Sequence, residues 1–531
     1  MSPSNVREVL FMKNIRKMIA LLAVTLPVYS MSAYAGGASD NSDDTTAILE
    51  QSGSINTGDS SETSDNITPG DFPGAPPEGR HEGTPPEGGP GGTPPEKPAG
   101  NGGPGGAPPE KPDGNHGPGG VPGGSSEDID YTGAVEISSG DAQSGQSYIS
   151  TSSDENALLI ATSDDVMITD PTVTKSGDSD GGDSCNFYGL NAAVLVKDGS
   201  TATITGGTIT SDADGANGVF SYGGNGGQNG ASGDDTTVII RDTKIVTTGN
   251  GSGGIMTTGG GTTYAYDLDV TTSGQSSAAI RTDRGGGTVI VDGGTYTSNG
   301  LGSPAIYSTA DITVSDAILT SNLSEGVCIE GLNSITLNDC DLTADNTRRN
   351  GNAAFLDTIM IYQSMSGDAA SGTSHFTMTG GSLTSKSGHV FHVTNTNAVI
   401  TLEEVDIINE DAENILLSVC ADGWSGGSNI AALKAISQKL AGAIKVGSDS
   451  GLTLELTEGS SFEGCIDGSI TNAEGETVST EVGTVSVTLD DTSTWTLTGD
   501  SYVTEFIGNA ENVISNGCTL YVNGTALTGT K

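Results

Sequence analysis

Residues 287–298 read GTVIVDGGTYTS: apolar and polar side chains alternate, a Gly pair interrupts, and the alternation resumes. Nearly the same phrase returns as TATITGGTITS (201–211), ADITVSDAILTS (310–321), NSITLNDCDLTA (333–344) and SHFTMTGGSLTS (374–385). Alignment of these phrases places one inward apolar residue per unit, at Val173, Ile209, Ile245, Val270, Tyr296, Leu319, Leu342, Leu383 and Ile407. A second phrase (small residue, apolar, variable, then often Ser or Thr) precedes each: AVLV (193–196), GVFS (218–221), GIMT (254–257), AIRT (279–282), AIYS (305–308), VCIE (327–330), AFLD (354–357) and VFHV (390–393). Period-2 alternation marks strands with every second side chain inside. A base spacing near 25 residues, lengthened by insertions, marks units that bury their apolar side only by stacking. Gly, Asp and Asn at the breaks permit the turning conformations that corners need. The pattern predicts an all-β chain, a right-handed parallel β-helix with roughly a dozen turns and, at about 4.8 Å per turn, a length on the order of 60 Å.

The rest of the chain divides by composition. Residues 12–35, MKNIRKMIALLAVTLPVYSMSAYA, carry a basic start, a short apolar run and a small-residue cleavage pattern. They predict a secretory signal peptide within 1–35, with Met12 the expected start, and a secreted, extracellular product, free or held at a cell surface. Residues 36–68 are acidic and Ser/Thr-rich and are expected to be disordered. Residues 69–124 repeat APPEG, TPPEK and APPEK among glycines, a Pro/Gly-rich linker. The β-helix is expected over 125–531. Sixty-seven acidic against 20 basic side chains give a net charge of −47. That charge argues against nucleic acid and anionic membrane surfaces as partners. No apolar run is long enough for membrane insertion. Six cysteines in an exported chain could pair, but they are scattered and lack any CxxC spacing; Cys328 and Cys340, at interior or turn positions, are expected as buried free thiols.

On these residues the chain resembles the right-handed parallel β-helix proteins, a class holding pectate-lyase-like enzymes, polysaccharide-binding proteins and adhesin-like surface proteins. GSSFEGCIDG (459–468) and STWTLTGDSYVTEFIG (493–508) resemble repeats of bacterial adhesin and autotransporter passenger regions. No membrane β-barrel pattern follows them, a departure from a complete autotransporter. The resemblance implies a surface or matrix interaction, with a polysaccharide, cell-surface glycan or protein as partner.

Several constellations are candidates for chemistry. In the four-residue phrase the third position should face out, giving a column that includes Phe220, Met256, Arg281, Tyr307, Ile329, Leu356 and His392. Such a strip of long apolar and aromatic side chains could stack sugar rings, with Phe220, Met256, Arg281, Tyr307 and His392 as the binding set; alternatively the insertions fold over it and bury it. The expected activity is therefore non-catalytic binding. The alternative is a polysaccharide lyase or glycoside hydrolase built on Arg281, Asp283 and Arg284, the one compact cluster of both signs. Asp178, Asp180 and Asp183 around a Gly-Gly turn could converge on Ca²⁺, or form a solvated acidic corner; Asp267 and Asp269 are a weaker pair. GWSGG (423–427) matches a nucleophile pattern by chance composition. His389 and His392, three apart in a strand, should face opposite ways and share no metal. A Thr column (Thr174, Thr210, Thr271, Thr297, Thr320, Thr343, Thr384) suggests a third reading, ice binding, which needs two parallel columns where the sequence offers one.

Overall fold

The computed structural model describes residues 129–531 apart from 141, 180–181, 226–231 and 365. The signal peptide, the acidic segment and the Pro/Gly linker lie outside the described residues. What is described is almost wholly strand. One parallel sheet of 13 strands runs from Glu136–Ile137 through Val219–Tyr222, Ile280–Thr282 and His389–Thr394 to Ile466–Asp467. A second, of 22 strands, supplies two further faces, and a four-stranded ladder beginning at Lys439–Ala441 follows the last strand of the third face. The chain visits the first, second and third faces in turn and then repeats. This is the expected parallel β-helix.

The quoted phrase explains how one rung bends without breaking. Gly287–Ser298 is a single strand that crosses the corner between the second and third faces at Gly293 and Gly294. The equivalent corner residue in eleven rungs (Asp170, Gly206, Asp242, Asp267, Gly293, Asp316, Asp339, Gly380, Glu404, Ser437, Glu458) has φ between 49° and 76°. Left-handed backbone costs a residue with a Cβ about 1–2 kcal/mol, least for Gly and tolerated by Asp. The return is that the corner amide stays in the ladder. Asp170 N–H donates to Thr205 O at 2.8 Å, Gly206 N–H to Arg241 O at 2.9 Å, and Gly380 N–H to Glu403 O at 2.9 Å. Asp267, expected to share a strand face with Asp269, is instead one of these corner residues, and Asp269 pairs with Lys244 at 2.5 Å.

With the corners in register, the nine-residue inward column is one vertical stack: Val173, Ile209, Ile245, Val270, Tyr296, Leu319, Leu342, Leu383 and Ile407 pair rung to rung in sequence. All but the last, which is half-buried, are fully interior. The Thr column is also a true vertical neighbourhood, interrupted only by Val246. At the corner leading back to the first face, the hydroxyls of Ser252, Ser277 and Ser303 accept the N–H groups of Ala216, Ser252 and Ser277 at 2.8–2.9 Å. All six cysteines are free; Cys328 and Cys340 are buried as expected, and so are Cys185 and Cys420. No helix among the described residues is long and apolar enough to cross a membrane.

Two substitutions test this account. A Cβ on Gly294 (φ 95°) would lie 2.5 Å from Leu268 O, whereas one on Gly475 (φ 83°) meets nothing. Gly294→Ala should therefore lower the thermal midpoint more than Gly475→Ala, which pays only the left-handed cost of about 1–2 kcal/mol. Tyr296 places its hydroxyl in the interior without a hydrogen-bond partner among the described residues. Tyr296→Phe should leave the midpoint unchanged or raise it, because it removes a desolvated polar group.

Candidate functional site

The outward positions of the first face do form a column, with a corrected register. Strand pairing stacks Leu159, Leu195, Phe220, Met256, Arg281, Tyr307, Cys328, Met360, His392, Ser418 and Lys445 in order. Cys328 takes the place expected for Ile329, which points into the core, and Met360 takes that of Leu356. The copy read as AFLD is wrong by several residues. The strand is Asp357–Tyr362, so DTIMIY forms this rung of the face. All six of its residues are buried, and with both sides covered no alternation survives to mark the phase.

The strip is covered. Phe220, Met256, Arg281, Tyr307 and His392 are each at most 2% exposed. Three segments cover it. Helix α1 (Asp183–Tyr188) lays Phe187 and Tyr188 over Leu195, Phe220 and Met256. Trp424 packs on Tyr362, with ring centroids 4.9 Å apart, over Tyr307, Cys328 and Met360. Phe355 packs on His392 at 4.6 Å and on His389 at 5.5 Å. As arranged, these five side chains cannot stack a sugar unless a covering segment moves.

The polar members of the strip are paired internally. Arg281 donates to Asp283 Oδ2 at 2.9 Å with both side chains buried, and burial pushes the Asp283 carboxyl up to about 7 against the pull of Arg281. Arg284 donates through Nε and Nη2 to Asp368 Oδ1 at 3.0 and 2.6 Å and lies over the Phe187 ring. Arg281, Asp283 and Arg284 are thus close together, but their charges hold the 363–372 segment and α1 in place. Below them, buried Glu330 accepts from Tyr307 Oη at 2.6 Å, from Tyr362 Oη at 3.2 Å and from Ser364 Oγ.

The two histidines face the same way, contrary to alternation. Val390 and Phe391 both point into the core, which resets the phase, so His389 Nδ1 and His392 Nδ1 each lie 2.7 Å from Ser418 Oγ. His392 Nε2 is 3.2 Å from Asp422 Oδ2. Of the acidic turn, Asp180 lies outside the described residues, Asp183 begins α1, and Asp178 accepts the Asp214 N–H at 2.9 Å. Among the described residues no three His, Cys, Asp or Glu side chains are grouped to hold a metal.

An open site does exist beside the strip, where sequence reasoning did not look. Between the 363–372 and 423–428 segments lies a cleft of about 480 Å³ lined by Gln363, Ser364, Asn395, Asn397, Ser425 and Ser428 together with glycines. Asn395 sits in left-handed backbone (φ 55°), where its Nδ2 donates to Gln363 O at 2.7 Å and its Oδ1 accepts from Gly427 N–H at 2.6 Å. Ser428 Oγ donates to Asn397 Oδ1 at 2.7 Å. Gln363 Oε1 is buried behind the wall and receives no hydrogen bond from a described residue. Ser425 of GWSGG lines the cleft but has no histidine or carboxylate partner among the described residues, so the nucleophile pattern stays a coincidence of composition. The available signal was the pair of polar, Gly-bearing stretches QSMSG and WSGGS, 61 residues apart and two rungs apart in space.

A buried charge pair broken on one side is costlier than one removed entirely. Asp283→Ala should destabilise the protein by about 3–5 kcal/mol, and Arg281→Met combined with Asp283→Leu should recover most of that loss, both read by denaturant unfolding.

No protein-family model, curated protein or solved structure matches the chain, so its site is argued from geometry alone.

Proposed function

We propose that this chain is an exported, non-catalytic β-helix that binds a neutral carbohydrate segment in the cleft between residues 363–372 and 423–428. The observation that carries the reading is the lining: amides, hydroxyls and glycines, without one charged side chain, in a protein of net charge −47. Sugar hydroxyls donate and accept at once, as do amide and hydroxyl groups, and Gly lets a ligand approach the backbone closely. The surrounding negative charge opposes uronates and other anionic chains. Export is supported by the basic and apolar pattern of residues 12–35, and the Pro/Gly stretch that follows suits a spacer that holds a binding domain away from a surface. The covering of Arg281, Asp283 and Arg284 weighs against the lyase or hydrolase alternative, because a general base must reach its proton.

A glycan array probed with the full chain tests this. Neutral oligosaccharides should be retained over uronate-containing ones, with no unsaturated or new reducing-end product in solution. Asn397→Ala and Ser425→Ala should each weaken binding about fivefold, the worth of one neutral hydrogen bond. Retention unaffected by both substitutions, or release of product, would overturn the proposal.

A further inference from the structure

The polar cleft has an apolar shoulder. Asn397, on the cleft wall, faces outward on its strand, and the register pairs it with Ile430 on the next rung, about 4.8 Å away. Ile430 lies two residues beyond Ser428, another lining residue, and is 49% exposed. The following rung places Gly451 in the same column. A Cβ there would lie 3.8 Å from Ile430 Cγ1, in ordinary contact, so a larger residue would cover the isoleucine and Gly leaves its flank bare. Val399 and Ala432 face the same way on these two strands, half-buried, and extend the apolar edge.

Asn397 and Ser428 satisfy each other only in part. Ser428 Oγ donates to Asn397 Oδ1 at 2.7 Å, and neither side chain makes another hydrogen bond among the described residues. What remains is one donor, Asn397 Nδ2, beside one acceptor, Ser428 Oγ. A half-turn of the Asn397 amide exchanges the two roles and still leaves one of each. A secondary amide complements that pair, since its carbonyl takes the donor and its N–H the acceptor, and a methyl on the same group reaches the apolar shoulder. A hydroxyl meets donor and acceptor but leaves Ile430 in water. A carboxylate brings no proton for Ser428 and is opposed by the net charge of −47, and an ammonium brings no acceptor for Asn397.

We infer that the cleft selects sugars carrying an acetamido group, with the amide N–H on Ser428 Oγ, its carbonyl on Asn397 Nδ2 and its methyl against Ile430. This rests on the carbohydrate reading of the cleft and adds the substituent that is recognised.

Matched neutral sugars that differ in one substituent provide the test: the β-1,4 trimer of N-acetylglucosamine against that of glucose, and N-acetylgalactosamine against galactose, each titrated into the full chain by calorimetry. At least one acetamido sugar should bind about tenfold tighter than its hydroxyl partner, the combined worth of one buried methyl and one neutral hydrogen bond. Ile430→Ser and Gly451→Val, both on the outer surface of the coil, should fold and lower that ratio to about threefold by removing or masking the methyl contact. Equal affinity within both pairs, or a preference that survives both substitutions, overturns the acetamido assignment and leaves the neutral-sugar cleft standing. Binding of no member of either pair overturns the cleft reading and this assignment with it. Binding of N-acetyl-trialanine amide in place of the sugars assigns a peptide partner and overturns the proposal equally.

Discussion

The structure depends on a column of left-handed residues at one corner. Parallel strands stacked rung on rung must turn within each rung while every amide keeps its partner in the next. A left-handed residue turns the chain and leaves its own N–H in the ladder, so the corner costs conformational strain but no hydrogen bond. Gly and Asp share the task in a linked way. A Cβ on Gly206, Gly293 or Gly380 would come within 2.4 Å of the Oδ1 of the corner Asp one rung before, respectively Asp170, Asp267 and Asp339. Gly follows Asp where that carboxylate leans over the next corner. Once eleven corners are fixed, the phase of every flanking strand is fixed too. A slip of one residue would send the whole interior column to solvent.

This corner is also why the third face could be read from the sequence and the first could not. The repeated phrase spans the corner, so alternation on both sides is anchored by the Gly pair or its Asp substitute, and all nine aligned residues prove to be vertical neighbours. The first face has no such landmark. Its strands are covered on both sides, and strands such as Asp357–Tyr362 or His389–Thr394 are buried at all six positions. Alternation carries no information there, which is why Ile329 and Leu356 were placed where Cys328 and Met360 stand. The chemical character of the strip was legible, and its covering by insertions was one of the two readings of it; which residues do the covering was not. Trp424 lies 62 residues beyond the Tyr362 it packs on, and Asp368 lies 84 beyond the Arg284 it holds. Only the stacked rungs make such distances short.

The scarcity of basic residues sharpens the meaning of where they sit. Lys175, fully buried, gives its three protons to the carbonyls of Ser152, Ser176 and Gly177 at 2.7–2.9 Å. Arg281 and Arg284 are likewise turned inward onto Asp283 and Asp368. With 67 acidic side chains outside and in, several of the few cations fasten loops to the coil and offer little to an anionic ligand. A surface built this way repels polyanions at long range and leaves recognition to short-range, uncharged contacts.

The cleft follows from that fastening. The 363–372 segment is tied to the strip at two points, Asp368 to Arg284 and Ser364 to the buried Glu330, and to the next rung through Asn395. The 423–428 segment is tied by Trp424 on Tyr362 and by Gly427 on the same Asn395. Asn395 therefore holds both walls, one through its amide nitrogen and the other through its amide oxygen, from a backbone conformation that few residues but Asn and Gly adopt without strain. The contacts that bury the strip thus set the width of the open site beside it. A rigid polar cleft of this origin can select a ligand by hydroxyl geometry because its walls are fixed before the ligand arrives.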